Sequence, residues 1–234
     1  MKERWIAVIA AEEQELAGLE EFMEDAEAVA GAAGCVYRTG RVGDYRVAAM
    51  RCGIGKVNAA VCAQAMIDRF HPVALINVGA AGAVAPGLSI YDLVVSEDVV
   101  QHDMDVTGLG YAPGVVPDQE ESFFKADPEL VSLAKLSAEA EEMTCHIGRI
   151  ASGDLFVSNG EQRERIRRTF GALCAEMEGA AVAQACRRNE VPFVILRSIS
   201  DNADTSAGVS YGEFSAEASG QAIRLLKRML ASFC

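Results

Sequence analysis

"VPFVILRSISDNAD", Val191 to Asp204, is the stretch from which the fold is read. Its first half is almost wholly apolar, the mark of a strand buried on both faces. Such a strand normally closes on a turn. This one runs without a turn residue into Arg197, Ser198, Ser200 and Asp201. An arginine and a carboxylate at the end of a core strand cost free energy unless they are paired or bind something. The stretch therefore predicts a strand that carries chemistry to a sheet edge.

Outward from it, strand-like and helix-like runs alternate. Strands are expected at 4–10, 45–52, 72–79, 92–100, 145–152, 172–178 and 192–200. Helices are expected near 12–23, 57–70, 127–141, 160–169, 179–189 and 212–231. This alternation means βαβ units, hence a largely parallel sheet with helices on both sides. No repeat, linker or composition shift divides the 234 residues, so a single domain over 1–234 is the expectation. The segment 101–126 departs from the pattern. It is rich in glycine and proline, is expected to expose Leu109, Tyr111, Phe123 and Phe124 between turn residues, and reads as a lid or dimer element.

Composition excludes several classes. A net charge of −13 argues against a nucleic-acid or anionic-membrane partner, since both need a basic footprint. No apolar run is long enough for a transmembrane helix. The start, "MKERWIAVIAAEEQE", turns acidic too soon for a signal peptide, which predicts a cytoplasmic location. Cys35, Cys52, Cys62, Cys145, Cys174, Cys186 and Cys234 are odd in number and lack a C-x-x-C pair, so they read as reduced and mostly small core residues. "HDMD", His102 to Asp105, is too isolated from other histidines to predict a metal site.

Ligands of parallel α/β sheets bind beyond the carboxyl ends of the strands. There this chain delivers Glu12, Glu13 and Glu15; "CGIGK", Cys52 to Lys56; "GAAG", Gly79 to Gly82; "SGDLF", Ser152 to Phe156; Glu176, Met177 and Glu178; and Arg197, Ser200 and Asp201. The glycine turns either turn the chain tightly or let backbone approach a ligand. They match neither a dinucleotide fingerprint nor a Walker loop. Glu176 and Glu178 are two apart, so on a strand they share a face. The small-residue helix that follows would stabilise a carboxylate at its N-terminus, and a carboxylate suits the paired hydroxyls of a ribose. Glu12 and Glu15 share a helix face, and Glu15 adjoins the stripe of Leu16 and Leu19. On this stretch alone a solvated acidic first turn accounts for them.

Taken in order, "AAEEQELAGL", "CGIGKVNAA", "INVGAAGAVAPGLSIYDLVVSE", "HDMDVTGLGY", "SGDLFVSNG", "AEMEGAAVAQAC" and "VILRSISDNAD" resemble the bacterial 5′-methylthioadenosine/S-adenosylhomocysteine nucleosidases of the nucleoside phosphorylase superfamily. The resemblance spans roughly residues 5–230. It implies a three-layer αβα sandwich with a mixed central β-sheet, a homodimer, and hydrolysis of an N-glycosidic bond to adenine and a thioribose in methionine salvage. It implies no cofactor and no metal. By motif, it makes Asp201 the general acid at adenine N7 and Glu15 the base that activates water. Glu178, beside Glu176, would bind the ribose hydroxyls. Phe156 would stack on adenine, Val157 would give backbone contacts, and Met177 would line the ribose. Gly82 and Ile54 would form the pocket, and Arg197 and Ser200 would orient the water and Asp201. Tyr211 and the loop 106–117 would reach the alkylthio end. Two positions depart from the family pattern, which commonly has methionine at Glu12 and serine at Ala80.

The chemistry stands on the residues as well. Cleavage at a nucleoside passes through an oxocarbenium-like state, so an acid must neutralise the leaving purine while carboxylates tolerate positive charge on the sugar. Desolvation at the end of a buried strand keeps a carboxyl protonated. A phosphorylase would need an anion site, and the glycine turns offer only Lys56. A hydrolase of another purine nucleoside, such as a futalosine-type substrate, or a catalytically silent nucleoside binder, stays open at this point.

Overall fold

The computed structural model describes residues 3–31 and 34–233. Its strands are β1 (Trp5–Ala10), β2 (Glu24–Ala30), β3 (Val36–Val42), β4 (Tyr45–Arg51), β5 (Ala74–Ala83), β6 (Leu93–Gln101), β7 (Phe123–Lys125), β8 (Cys145–Ser152), β9 (Cys174–Glu176) and β10 (Phe193–Asp201). Its helices are α1 (Lys56–Phe70), α2 (Pro128–Ala140), α3 (Gly160–Phe170), α4 (Gly179–Arg188) and α5 (Ala207–Ser232).

All the strands join one mixed sheet in the order β10-β6-β8-β9-β5-β1-β4-β3-β2, with β7 on β6. β1 runs parallel to β4 and β5, β5 to β10, and β8 to β6 and β9, while β6 meets β10 antiparallel. Because β10 pairs with β5 as well as β6, the β10-β6-β8-β9-β5 stretch closes on itself. Helices α1 and α4 pack together on one side, and α5, with α2 beside it, lies over β5 and β10. This is the three-layer αβα arrangement expected. Every residue of Phe193–Asp201 is buried, as the apolar run predicts for a strand covered on both faces. Among the described residues no helix is long and apolar enough to cross a membrane.

The structure corrects the reading in several places. Residues 12–23 do not form a helix. A 3-10 turn, Glu13–Leu16, is followed by turns to β2, and Gly18 takes a φ of 73° that stops helical continuation. The spacing of Leu16 and Leu19 buries both residues equally well in a succession of tight turns. The β2–β3 hairpin went unread because "EDAEAVA" is an exposed, acidic edge strand without apolar alternation. Its carboxylates suit an edge that must not pair with other chains. Strand 172–178 shrinks to β9, and α5 begins at Ala207 rather than 212. In 101–126, Leu109 and Tyr111 are exposed as expected, but Phe124 is buried, because β7 pairs with β6. Cys62, Cys174 and Cys186 are buried and free, and Cys35, Cys52 and Cys145 are free and half-buried. Cys234 lies outside the described residues.

Candidate active site

The carboxyl ends of β1, β5, β9 and β10 surround a cavity of about 130 Å³. Its walls include Glu12, Glu15, Ile54, Gly82, Phe156, Glu176, Met177, Glu178, Ser200, Asp201 and Tyr211. Val157 lines a smaller adjoining hollow with Phe156, Gly82 and Asp201. Arg197 lines neither and lies behind the carboxylates. A larger groove of about 890 Å³ opens at the other end of β10, around Asp127, Pro192 and Phe193, and holds none of these buried carboxyl groups.

Glu15 reaches the cavity because β1 ends at Ala10 and the chain enters the 3-10 turn directly. Its Oε2 accepts hydrogen bonds from the amides of Ala11 and Glu12, both at 2.9 Å, and its Oε1 accepts from Ala80 N at 3.0 Å. The last bond needs an open floor: a Cβ on Gly79 would stand 2.5 Å from Oε1. Burial pushes the Glu15 carboxyl above its ordinary value, while Arg197 and the backbone donors pull it back. Ala80 thus serves through its backbone, whatever its side chain.

Arg197 is 1% exposed and organises the next two carboxyl groups. Its Nη2 donates to Asn77 Oδ1 at 2.6 Å and to Glu176 Oε2. The same nitrogen lies 3.7 Å from Glu178 Oε2. Glu176 also accepts from Ser152 Oγ and, at the N-terminus of α4, from the amides of Glu178 (3.0 Å) and Gly179 (2.7 Å). The helix end thus holds the carboxylate that the small-residue run implied, and that carboxylate is Glu176. Burial acts to raise the Glu176 pKa; Arg197, Ser152 and the backbone outweigh it, so Glu176 titrates below its usual range. Among the described residues, Glu178 has Gly55 N, at 2.9 Å, as its one direct donor. Burial first, and the Glu176 charge second, push it up to about 8. The two glutamates are therefore split: one is an ionised structural partner of Arg197, and the other is free to face a ligand.

Asp201 comes to the site through a bulge. Along β5 the register passes from Ile199↔Ala81 to Asp201↔Gly82, so Ser200 is an extra residue. Regular alternation would send Ser200 and Asp201 to opposite faces. Here both line the cavity, and Ser200 Oγ donates to Asp201 Oδ2 at 2.9 Å. Ala203 N donates to Oδ1 at 2.8 Å. A Cβ on Gly82 would stand 2.7 Å from Oδ1, which explains a glycine there. Burial raises the Asp201 pKa against these two bonds. At the mouth, the rings of Phe156 and Tyr211 meet edge to face with centroids 5.8 Å apart, and the Tyr211 hydroxyl donates to Glu12.

The cavity thus gathers every site residue read from the sequence except Val157, one hollow away, and Arg197, one layer back. The sequence reading missed the supporting residue Asn77, and it placed Ser152 at the site edge without giving it a role. A lone asparagine inside the apolar run "VALINVG" was the available signal, since a polar side chain in a doubly buried strand must have a partner.

A purine-sized hollow walled by five carboxyl-bearing residues from three segments, with no lysine or arginine among its lining residues, defines a class. The model of the phosphorylase superfamily matches residues 5–231. A 5′-methylthioadenosine/S-adenosylhomocysteine nucleosidase of Geobacillus thermodenitrificans is 42% identical over 96% of this chain and 95% of its own. The crystal structure of the Neisseria meningitidis nucleosidase of that name, in complex with methylthio-immucillin-A, superposes with a TM-score of 0.95 at 38% identity, covering 98% of this chain and 100% of that one. The futalosine hydrolase of Helicobacter pylori gives 0.94 at 33% identity, with 98% of both chains covered. The chain belongs to the family of 5′-methylthioadenosine/S-adenosylhomocysteine nucleosidases, enzymes that hydrolyse an N-glycosyl bond.

Proposed function

We propose that this protein hydrolyses the N-glycosidic bond of 5′-methylthioadenosine and S-adenosylhomocysteine, with 5′-deoxyadenosine as a further substrate. The observation that carries this reading is the meeting of Glu15, Glu178 and Asp201 in one 130 Å³ cavity, each with its pKa raised by burial. Asp201 keeps a proton and gives it to N7 of the departing adenine, and Ser200 orients its carboxyl group. Glu15, fixed by three backbone amides, takes a proton from the attacking water. Glu178 binds the ribose hydroxyls, Phe156 stacks on the base, Val157 meets it through the backbone, and Met177 with Ile54 and Gly82 shapes the sugar's surroundings. Arg197 acts at one remove, by holding Glu176 and biasing Glu178. No cofactor or metal takes part.

The enzyme works in the cytoplasm as a homodimer. Exposed apolar side chains support the second point, since Val57, Val61 and Leu109 are 72%, 52% and 76% accessible in one chain. A partner covering them would also approach the cavity mouth at Ile54.

Adenine release from methylthioadenosine, with and without phosphate, tests the reaction. Asp201→Asn should lower kcat by about 10² to 10⁴, the usual worth of a positioned acid. Full activity in that variant would remove Asp201 from the mechanism. The likeness to futalosine hydrolase favours one second reading, a hydrolase of futalosine. A higher kcat/KM for futalosine than for methylthioadenosine would select it.

A further inference from the structure

A second hollow, of about 520 Å³, adjoins the active-site cavity. The two share Ala11, Glu12 and Ile54, so a ligand longer than a nucleoside passes from one to the other over these residues. Beyond the shared wall stands Arg51, the last residue of β4, in register with Ala10 of β1. It therefore sits on the sheet edge that carries the site. Its guanidinium has no ion-pair or hydrogen-bond partner among the described residues. Arg38, by contrast, is held by Glu13 and Glu20. A free cation on a chain of net charge −13 is a local attractor for an anionic group. At the junction, Glu12 accepts from the Tyr211 hydroxyl and from Gln14 Nε2 at 3.1 Å, which fixes a carboxylate where the two spaces meet. Ile54, 53% exposed, puts apolar surface beside both hollows.

A carboxylate, an apolar patch and a guanidinium in this order complement an α-amino acid on a short alkyl chain. We infer that the Arg51 hollow receives the amino-acid tail of S-adenosylhomocysteine. The tail's carboxylate pairs with Arg51, its ammonium with Glu12, and its methylenes lie along Ile54. The inference rests on the nucleosidase reading above and adds the residues that tell its two substrates apart. Methylthioadenosine ends in a methyl group and has nothing to offer Arg51.

Adenine release is measured for methylthioadenosine, S-adenosylhomocysteine and 5′-(3-aminopropyl)thioadenosine, which keeps the ammonium but lacks the carboxylate. Arg51→Gln should lower kcat/KM for S-adenosylhomocysteine about three- to five-fold, the range of a partly exposed ion pair. The other two substrates should be unaffected. Arg51→Glu should deepen the loss to roughly tenfold, and salt near 1 M should erase the wild-type response to Arg51 by screening. Arg51 lies outside the reacting groups, so methylthioadenosine turnover reports folding in each variant. Equal losses on all three substrates, or an unchanged rate on S-adenosylhomocysteine, overturn the clamp alone. No adenine from any substrate with the wild type overturns the nucleosidase reading together with it.

Discussion

Arg197 bonds Glu176 directly but stands 3.7 Å from Glu178, and this unequal sharing separates two neighbouring carboxyl groups. One is an anion of the framework. The other is a protonated group near neutrality, held at about 8 by burial and by the charge of Glu176. Arg197→Met would leave Glu176 buried without its counter-charge. Breaking a buried pair from one side costs about 3–5 kcal/mol, which should appear as a lower urea midpoint. Arg197→Lys should recover only part, because one ammonium must replace two guanidinium nitrogens, Nη2 on Asn77 and Glu176 and Nη1 on the Leu196 carbonyl. Wild-type stability in Arg197→Met would remove the pair from the framework.

Glu178 sets a pH dependence whose sign can be worked out. Its folded pKa, about 8, lies above the ordinary 4.5, so the folded protein holds this proton more tightly than the unfolded chain. The group's contribution to stability is therefore fully present below about 4.5 and is lost as pH rises toward 8. Glu178→Gln removes the ionisation. It should raise Tm by at least about 2 °C at pH 9 and change it little at pH 5. If Glu178 holds the ribose as proposed, the same variant should show a higher KM while its stability improves. A Tm difference that does not change with pH would contradict the shifted titration.

Gly79→Ala tests how closely the backbone must approach Glu15. The new Cβ would fall 2.5 Å from Oε1, so the carboxyl or the β5 backbone must move. A displacement near 1 Å of a reacting group costs up to about 10² in rate. We expect kcat to fall by at least about tenfold while circular dichroism still reports a folded protein. Unimpaired turnover would mean that Glu15 does not act from this position.

Lys56 closes a ring of bonds behind Glu178. Its Nζ donates to Asp103 at 2.6 Å and to Gln101 at 2.9 Å; Asp103 accepts from Asp154 N, and Asp154 Oδ1 from Lys56 N at 2.8 Å. This ring fixes the loop whose Gly55 amide donates to Glu178. Lys56→Met should raise KM about five-fold, the worth of one ordinary hydrogen bond lost at Glu178. It should also move the Glu178 titration above about 8, because the Gly55 bond is one of the influences that lower it. A change in KM with an unmoved pH profile would separate the ring from Glu178.

What was legible in the sequence follows burial. β10 and β5 open on long apolar runs, and β6 carries two short ones, and apolar runs can be read without knowing their neighbours. Their polar endings marked Asp201, Ser200 and the glycine turns for the same reason. The residues 12–23 misled because three-residue spacing of leucines fits both a helix and a string of tight turns. β2 was silent because an edge strand needs no apolar face. The division of labour between Glu176 and Glu178 was invisible in a motif that shows two like residues. It depends on Arg197 and Ser152, which reach Glu176 from other strands.

The extra residue in β10 has a consequence for how this activity could be lost. Ser200 supplies both the hydroxyl beside Asp201 and the odd count that turns Asp201 inward. Deleting that one codon would restore an unbroken ladder with β5 and set the aspartate directly after Ile199, in the place of Ser200 and still on the cavity face, but without the hydroxyl that donates to it. The fold would keep its pairing partners and the pocket its carboxyl group, now tethered through the Ala203 amide and no longer through a neighbouring hydroxyl, so activity would fade by lost aim and not by lost chemistry.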